Sequence, residues 1–434
     1  MRLFGSSGIR GVVNEKITPK LCKDIGRAVG DVYKDVIMGH DPRPTADLVT
    51  SALIAGLTSS GADVHRAGML TTSTLAHAAE DHDCGVMVTA SHNPKEYNGI
   101  KLWNPDGSSF NTAQMEEIEE KLQNTPSLAS WDQVGNVYRT TGAIEDHIED
   151  ILDRIGKDFQ QKVVVDCANG SASTITPYLL KKMGCEVITL NAQPDGTFPA
   201  HPSEPVEKNL QRLKKAVKTS GADLGIAHDG DGDRMVAFDP EGNYLGGDEL
   251  LKLFAMEVEG TVVVPVNSSM AIDELAEEVY RTKVGDVFVS ERLKQESAAF
   301  GGEPSGTWIF PELSYGPDGI FAAAKLVEMN SEMSLTETVE DLPKYPRKKT
   351  SIITDNKREV MEKLISLYEE NYSDERFDLV DGIRSKDDDG WSLIRASGTE
   401  PKIRITAEAR DRNALERVFK KAKDDLEACM EEIR

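Results

Sequence analysis

One strand–helix–strand unit recurs three times along this chain, and that recurrence constrains the fold more than any other feature. Each copy reads as an apolar strand, a turn of small residues, a helix, a Gly-led second strand and further structure that ends in a polar loop. The first runs from "DVIMGHDPRPT" through a helix from Ala46 to Ser60 and "GADVHRAG" to a loop at Ser91. The second runs from "KVVVDCANGSAS" through "TPYLLKKM" and "GCEVITL" to "ADLGIAHDGDGDR". The third runs from "TVVVPVNSSMA" through a helix over "IDELAEEVYR" and a strand at "DVFVSERLK" to "FGGEPSGTW". Apolar strands alternating with helices of about ten to fifteen residues build mostly parallel sheets covered on both faces. Three similar domains fit this pattern better than one large sheet.

Ligands of open α/β sheets collect outside the carboxyl ends of the strands, so three such loops can line one cleft. Beyond "EDLPKYPRKKT", read as a Pro- and Lys-rich connection around residues 341–350, the order of elements changes. A helix near Lys357 to Tyr372, short strands around "FDLVDGIRS" and "WSLIRAS", the alternating "KIRITAEA" and a charged helix to Arg434 suit a small α+β domain. The expected fold class is α/β: three similar α/β domains with mixed, mostly parallel sheets plus a C-terminal α+β domain, arranged around a central cleft. The expected domains are residues 1–145, 146–247, 248–345 and 346–434 of the 434-residue chain.

A formal net charge of −24 repels nucleic acid and anionic membranes at long range, so neither is an expected partner. Any anionic ligand must then meet a local basic pocket. The five cysteines, Cys22, Cys84, Cys167, Cys185 and Cys429, are scattered and form no C-x-x-C pair, which suits a reducing cytosol. The start "MRLFGSSGIRG" lacks an apolar signal core, and no run approaches the roughly eighteen apolar residues needed to span a bilayer. The expectation is a soluble cytoplasmic protein, monomeric or homodimeric.

Four polar loops carry the chemistry. In "VMVTASHNPKEYNGIKLW" a β-branched run stops on Ser91, which is either a strand exit before an Asn-Pro turn or a nucleophile at a cleft. His92 is adjacent, which usually points it elsewhere, although it stays among the catalytic candidates. Lys101, ten residues on, can fold back towards the hydroxyl as a general acid or base. No G-x-S-x-G elbow surrounds the serine, so a hydrolase triad is disfavoured. In "DGDGDR", glycines let Asp229, Asp231 and Asp233 converge on one hard cation, the alternative being a solvated acidic turn. An EF-hand fails because its sixth position is Arg234 rather than Gly and its twelfth is Pro240 rather than Glu. Three carboxylates leave room on Mg²⁺ for water and a phosphoryl oxygen, which Arg234 would also grip. In "GGEPSGTW", Glu303 and Ser305 suit sugar hydroxyls, or simply form a loop. In "RASGTEPKIR", Ser397, Gly398 and Thr399 set N–H groups and hydroxyls on a tight turn flanked by Arg395 and Arg404, which reads as a phosphate nest or a surface turn.

Taken together, from "FGSSGIRG" at Phe4 to "RASGTEP", these stretches resemble the α-D-phosphohexomutases, and the four loops fall in that family's order. The resemblance implies four domains around a central cleft, with Ser91 as the phosphorylated serine and Mg²⁺ among Asp229, Asp231, Asp233 and the phosphoserine. Arg10 and Lys101 would assist proton and phosphoryl transfer. Glu303 and Ser305 would hold the sugar, and Arg395, Ser397, Gly398 and Thr399 the non-reacting phosphate, with Thr307 and Arg404 of the same loops as further substrate-binding candidates. Glucose and mannose enzymes of the family usually follow the Gly of the sugar loop with His, whereas Gly306 is followed by Thr307 and Trp308. "TKVGDVF" sets Asp286 where those enzymes often have His, and both variants are similar to archaeal phosphoglucosamine mutases. An amine-bearing sugar is cationic, so a further carboxylate nearby is physically reasonable.

The reaction so implied is exchange between 6-phospho and 1-phospho hexoses through a phosphoserine enzyme, with a hexose 1,6-bisphosphate as intermediate and activator. Glucosamine phosphate is the expected substrate, with mannose or glucose phosphate as the alternative. Two other classes share parts of the pattern: a Mg²⁺-dependent sugar phosphatase, which would release free phosphate, and a non-catalytic sugar-phosphate sensor, against which the intact "TASHNP" argues.

Overall fold

The computed structural model describes residues 3–5, 8–124, 128–373, 376–398 and 400–433. Its strands form four sheets. The first orders Ile9–Val12, Tyr97–Trp103, Cys84–Val88, Asp35–His40, Asp63–Met69 and Val137–Arg139 side by side. Its last four strands run parallel, and the two nearest the N-terminal strand pair antiparallel. The second sheet has Lys162–Asp166 parallel to both Glu186–Leu190 and Leu224–His228, with Met235–Phe238 and Tyr244–Leu245 added antiparallel. In the third, Thr261–Pro265 lies parallel to Glu278–Thr282 and Phe300–Glu303, and Thr307–Ile309 returns antiparallel. The fourth is wholly antiparallel. Val163, Val164, Val165, Val262, Val263 and Val264 are all fully buried, as strands covered on both faces require.

Three segments depart from the sequence expectation. In the third unit, "IDELAEEVYR" yields only a short helix at Ile272–Leu275, and its end becomes the strand Glu278–Thr282. "DVFVSERLK" is the helix Asp286–Glu296 rather than a strand. The short apolar run Val-Phe-Val reads as a strand, yet Val287, Ser290 and Leu293 are buried at helical spacing. The "RKKT" connection is likewise the start of an edge strand, Arg347–Ile353, paired with Lys402–Ala409. Lysines and an upstream proline belong on such an edge, where they discourage pairing with a second chain.

The second and third domains share one apolar core, in which the rings of Phe254, Phe300, Phe310 and Trp308 meet. That continuity fixes the acidic loop against the third loop. The fourth domain has its own core and touches the third through a small cluster of Val266, Met270, Trp391 and Leu393. Arg347 also bridges Asp248 of the third domain and Glu408. Among the described residues no helix is long and apolar enough to cross a membrane.

Candidate active site

The serine loop follows the carboxyl end of Cys84–Val88, a strand buried at every residue. Ser91 sits at φ +50°, in the left-handed region, a conformation that costs a non-glycine residue on the order of 1 kcal/mol and persists only where neighbours enforce it. Arg43 is that neighbour. Its guanidinium donates to the carbonyls of Ser91 (2.7 Å), Asn93 (2.7 Å), Pro94 (2.6 Å) and Tyr97 (2.9 Å), and its Nε to Asp41 (2.9 Å). The Ser91 N–H donates to the Thr89 hydroxyl at 2.9 Å, which lies 2.8 Å from Asp41 Oδ2 and 3.1 Å from Asp231 Oδ2. Ser91 Oγ donates to Asp229 Oδ2 at 2.6 Å. Despite adjacency in sequence, His92 turns its Nδ1 to 3.3 Å from the same Oγ. Burial, with Arg234 and Arg10 nearby, pushes the His92 imidazole down to about 3, so it is neutral at ordinary pH.

The acidic loop joins Leu224–His228 to Met235–Phe238, and Gly232 at φ +75° lets it curl. Asp229, Asp231 and Asp233 are buried and bring carboxylate oxygens within 4.8 Å of one another. Burial and the Asp231 and Asp233 charges raise the Asp229 carboxyl well above the usual range. Asp231 is lowered, because Lys101, Thr72 and Arg10 outweigh its burial. Lys101 Nζ lies 2.6 Å from Asp233 Oδ2 and 3.3 Å from Asp231 Oδ2, and these carboxylates outweigh burial to raise its proton affinity. Asp231 Oδ1 and Asp233 Oδ1, both buried, receive no hydrogen bond. A centre that over-binds protons at one carboxylate and leaves two carboxylate oxygens orphaned fits a hard divalent cation. These three side chains, with an oxygen on Ser91, are the group that could hold it.

Cations ring this centre. Arg10 donates to Asn93 Oδ1 at 3.3 Å, and its buried Nε has no acceptor. Arg234 is held above its ordinary value as Asp229, Asp233 and Glu303 overcome its burial. From the third domain, Glu303 Oε1 accepts the N–H of Gly285 at 2.8 Å, and Oε2 accepts from Ser305 at 3.1 Å. Ser305 and Thr307 share a hydroxyl contact at 3.1 Å, and Thr307 bridges to Arg234. Trp308 is fully buried and donates to the Met235 carbonyl, so it serves the core. Burial raises both Asp286 and Glu303, and the charge of Asp286 lifts Glu303 further.

The fourth loop faces the third across a cavity of about 530 Å³ lined by Asn267, Pro304, Lys349, Arg395 and Arg404 among others. Arg395 pairs with Asp381 at 2.6 Å, and Arg404 with Glu400 at 2.8 Å. Ser397 Oγ accepts the Glu400 N–H at 3.2 Å. Gly398 has open space where a side chain would stand, and Thr399 lies outside the described residues.

The sequence matches the phosphoglucomutase/phosphomannomutase alpha/beta/alpha domain I over residues 1–128, domain II over 145–242, domain III over 246–345 and the C-terminal domain over 337–424. The chain belongs to the phosphoglucomutase/phosphomannomutase family. A protein of Methanosarcina acetivorans named probable phosphoglucosamine mutase is 52% identical over 421 residues, covering 95% of this chain and 96% of its own. Another so named, from Methanocella arvoryzae, is 50% identical over 437 residues, covering 99% of each. The crystal structure of a phosphoglucomutase/phosphomannomutase family protein from Burkholderia thailandensis superposes with a TM-score of 0.88 at 27% identity, covering 99% of this chain and 98% of the other. This protein is therefore a hexose-phosphate mutase, an isomerase built from three α/β domains and a C-terminal domain with an antiparallel sheet.

Sequence reasoning passed over the residues that hold this mutase site in place. Asp41 and Arg43 read as turn punctuation in "HDPRPT". Thr72 donates its hydroxyl to Asp231 Oδ2 at 2.7 Å and its N–H to the Asp231 carbonyl at 2.9 Å, which binds the first domain to the acidic loop. The one signal was a run of small hydroxyl residues, "TTST", beside a strand end. Gly230 makes the fit testable. A Cβ there would stand 2.7 Å from the Ser91 carbonyl and 3.1 Å from the Phe198 ring. Gly230→Ala should therefore displace the serine loop and slow turnover about a hundredfold, the usual consequence of a misplacement near 1 Å. A coupled mutase assay checks this, and an unchanged rate would show that the loop has slack.

Proposed function

We propose that this mutase interconverts glucosamine 6-phosphate and glucosamine 1-phosphate through phosphorylated Ser91 and a glucosamine 1,6-bisphosphate intermediate. The observation that carries the sugar assignment is the pair of buried carboxylates, Asp286 and Glu303, whose proton affinities are raised by burial and, for Glu303, by its partner's charge. An ammonium group relieves such a pair, whereas a neutral hydroxyl leaves it unfavourable. The two relatives named above support the same substrate.

Asp229, Asp231, Asp233 and the phosphoserine would hold Mg²⁺. When bound, the ion supplies charge neutralisation for the transferring phosphoryl group. Arg10 and Arg234 orient the equatorial oxygens of that group. Lys101, kept protonated by Asp231 and Asp233, gives a proton to the oxygen that leaves and regains one from the hydroxyl that attacks. Neutral His92 orients the Ser91 oxygen without adding a positive charge. Glu303, Ser305 and Thr307 hold the sugar hydroxyls. Arg395, Ser397, Gly398, Thr399 and Arg404 clamp the phosphate that is not reacting, and because either phosphate must fit there, the clamp reads phosphate rather than ring. Enzyme that loses the bisphosphate is left with a bare serine, so a trace of hexose 1,6-bisphosphate is the expected activator. The five cysteines are free and buried, which supports a reducing, cytoplasmic setting.

The test is a side-by-side assay of glucosamine, glucose and mannose 6-phosphates with trace bisphosphate. Glucosamine 6-phosphate should give the highest kcat/KM, and Asp286→Asn should reduce that value about tenfold or more while sparing glucose 6-phosphate. Faster turnover of either neutral sugar by the wild type would overturn the assignment. Chelation of divalent ions should abolish turnover, with recovery on adding Mg²⁺. Full activity in chelator would remove the metal from the reaction.

A further inference from the structure

At the other end of the first sheet lies a second group of ligating side chains that the mutase reaction does not use. Asp35 opens the strand Asp35–His40, His65 lies in Asp63–Met69, and His82 caps the short helix Ala79–Asp81 just before Cys84–Val88. These strands run parallel, and Ser91 follows the carboxyl end of the last. The trio sits at their amino ends, about 20 Å from the serine by strand length. One carboxylate oxygen and one nitrogen from each imidazole lie within 4.8 Å of one another.

We propose that Asp35, His65 and His82 form a binding site for a divalent transition-metal ion, with zinc the best chemical match, separate from the acidic cage beside Ser91. His65 Nε2 stands 2.8 Å from Asp35 Oδ1, and His82 Nδ1 stands 3.1 Å from Asp35 Oδ2. Donors around a tetrahedral zinc are about 3.3 Å apart, so little movement is needed to admit the ion. The first contact is not a hydrogen bond: Oδ1 is buried and receives none, although the nitrogen is in range. A simple ion pair would aim an N–H at that oxygen, and none is aimed there. Among the described residues Asp35 pairs with no lysine or arginine, only with these two histidines.

The surroundings favour a cation. An open hollow of about 540 Å³ beside the trio is lined by Asp35, Glu80, Asp81, His82 and Asp83 together with Val32, Tyr33 and Pro105. The His65 ring is braced by stacking on Tyr138 at 5.0 Å and lies 4.5 Å from the His82 ring. Two imidazoles and one carboxylate select first-row ions such as zinc, cobalt and nickel over Mg²⁺, which prefers oxygen alone. An ion here ties together the starts of three strands and stabilises the first domain by mass action.

The experiment uses the full chain with saturating Mg²⁺, titrated with Co²⁺ under visible spectroscopy and with Zn²⁺ by calorimetry. One Co²⁺ per chain should give a d–d spectrum typical of nitrogen ligands, and zinc should raise the thermal midpoint. His65→Asn and His82→Asn should each weaken binding at least about tenfold and remove the thermal shift, with turnover in Mg²⁺ unchanged. Unaltered affinity in both variants would overturn the proposal. So would a cobalt spectrum lost in Asp231→Asn and kept in His82→Asn, which would assign the ion to the cage at Ser91.

Discussion

Ser91→Ala should lose at least about a thousandfold in mutase turnover while remaining folded. The methyl group retains the φ +50° backbone that Arg43 and Thr89 enforce, so the loop keeps its shape. What disappears is the oxygen proposed to carry phosphate between the two ends of the sugar, together with its 2.6 Å hydrogen bond to Asp229 Oδ2. Losing that donor costs about 1–3 kcal/mol, because buried Asp229 Oδ2 gives up its hydroxyl partner while Oδ1 keeps the N–H groups of Gly232 and Arg234. The thermal midpoint should fall slightly and the far-ultraviolet spectrum should not change. Intact mass spectrometry should find phosphate on the wild type after incubation with bisphosphate and none on the variant. Near-normal turnover of purified variant would sink the phosphoserine assignment, and with it the bisphosphate intermediate.

The parts of the site readable from sequence were those in which chemistry and local geometry coincide. Alternating Asp and Gly between two apolar strands can converge on one point because the glycines let the backbone curl, and the acidic loop does so. Lys101 reaches the acidic loop because "NPKEYNG" is a turn and the next strand returns antiparallel, opposing Met87 to Lys101. Residues that act at long range left no comparable trace. Thr72 matters through Asp231, 159 positions away, and nothing in "TTST" names that partner. His92 was harder in another way, since adjacent side chains in a strand diverge. The left-handed backbone at Ser91 breaks that rule and turns the imidazole back. The misread third unit has a related cause: the short apolar run Val287–Val289 has no period of its own, and only the burial of Ser290 and Leu293 further along marks it as helix. The fourth domain's edge strand was hidden by the charges that protect it.

Arg43→Met is expected to damage both stability and rate, and its pH dependence separates the two causes. The guanidinium and the Asp41 carboxylate are fully buried as an ion pair, and removing one member of such a pair costs about 3–5 kcal/mol. Four carbonyls of the serine loop lose their donor at the same time. Arg43 also packs under the second domain, with its guanidinium 5.1 Å from the Phe198 ring centre and its backbone against Gly196. Burial already raises the Asp41 carboxyl above its ordinary value, and Arg43 is the first influence holding it down. Without Arg43 the folded-state value rises further. A carboxyl that binds its proton more tightly folded than unfolded loses stability as pH rises from the unfolded value near 3.9 through the folded one. The deficit of the variant, measured by denaturant unfolding, should therefore be smallest in mild acid and grow towards neutrality. Turnover should fall at least about a hundredfold even where the protein stays folded, because the Ser91 oxygen is no longer fixed against Asp229. A deficit independent of pH would mean that Asp41 finds another cation, and unimpaired turnover in the folded variant would show that Thr89 alone suffices to hold the loop.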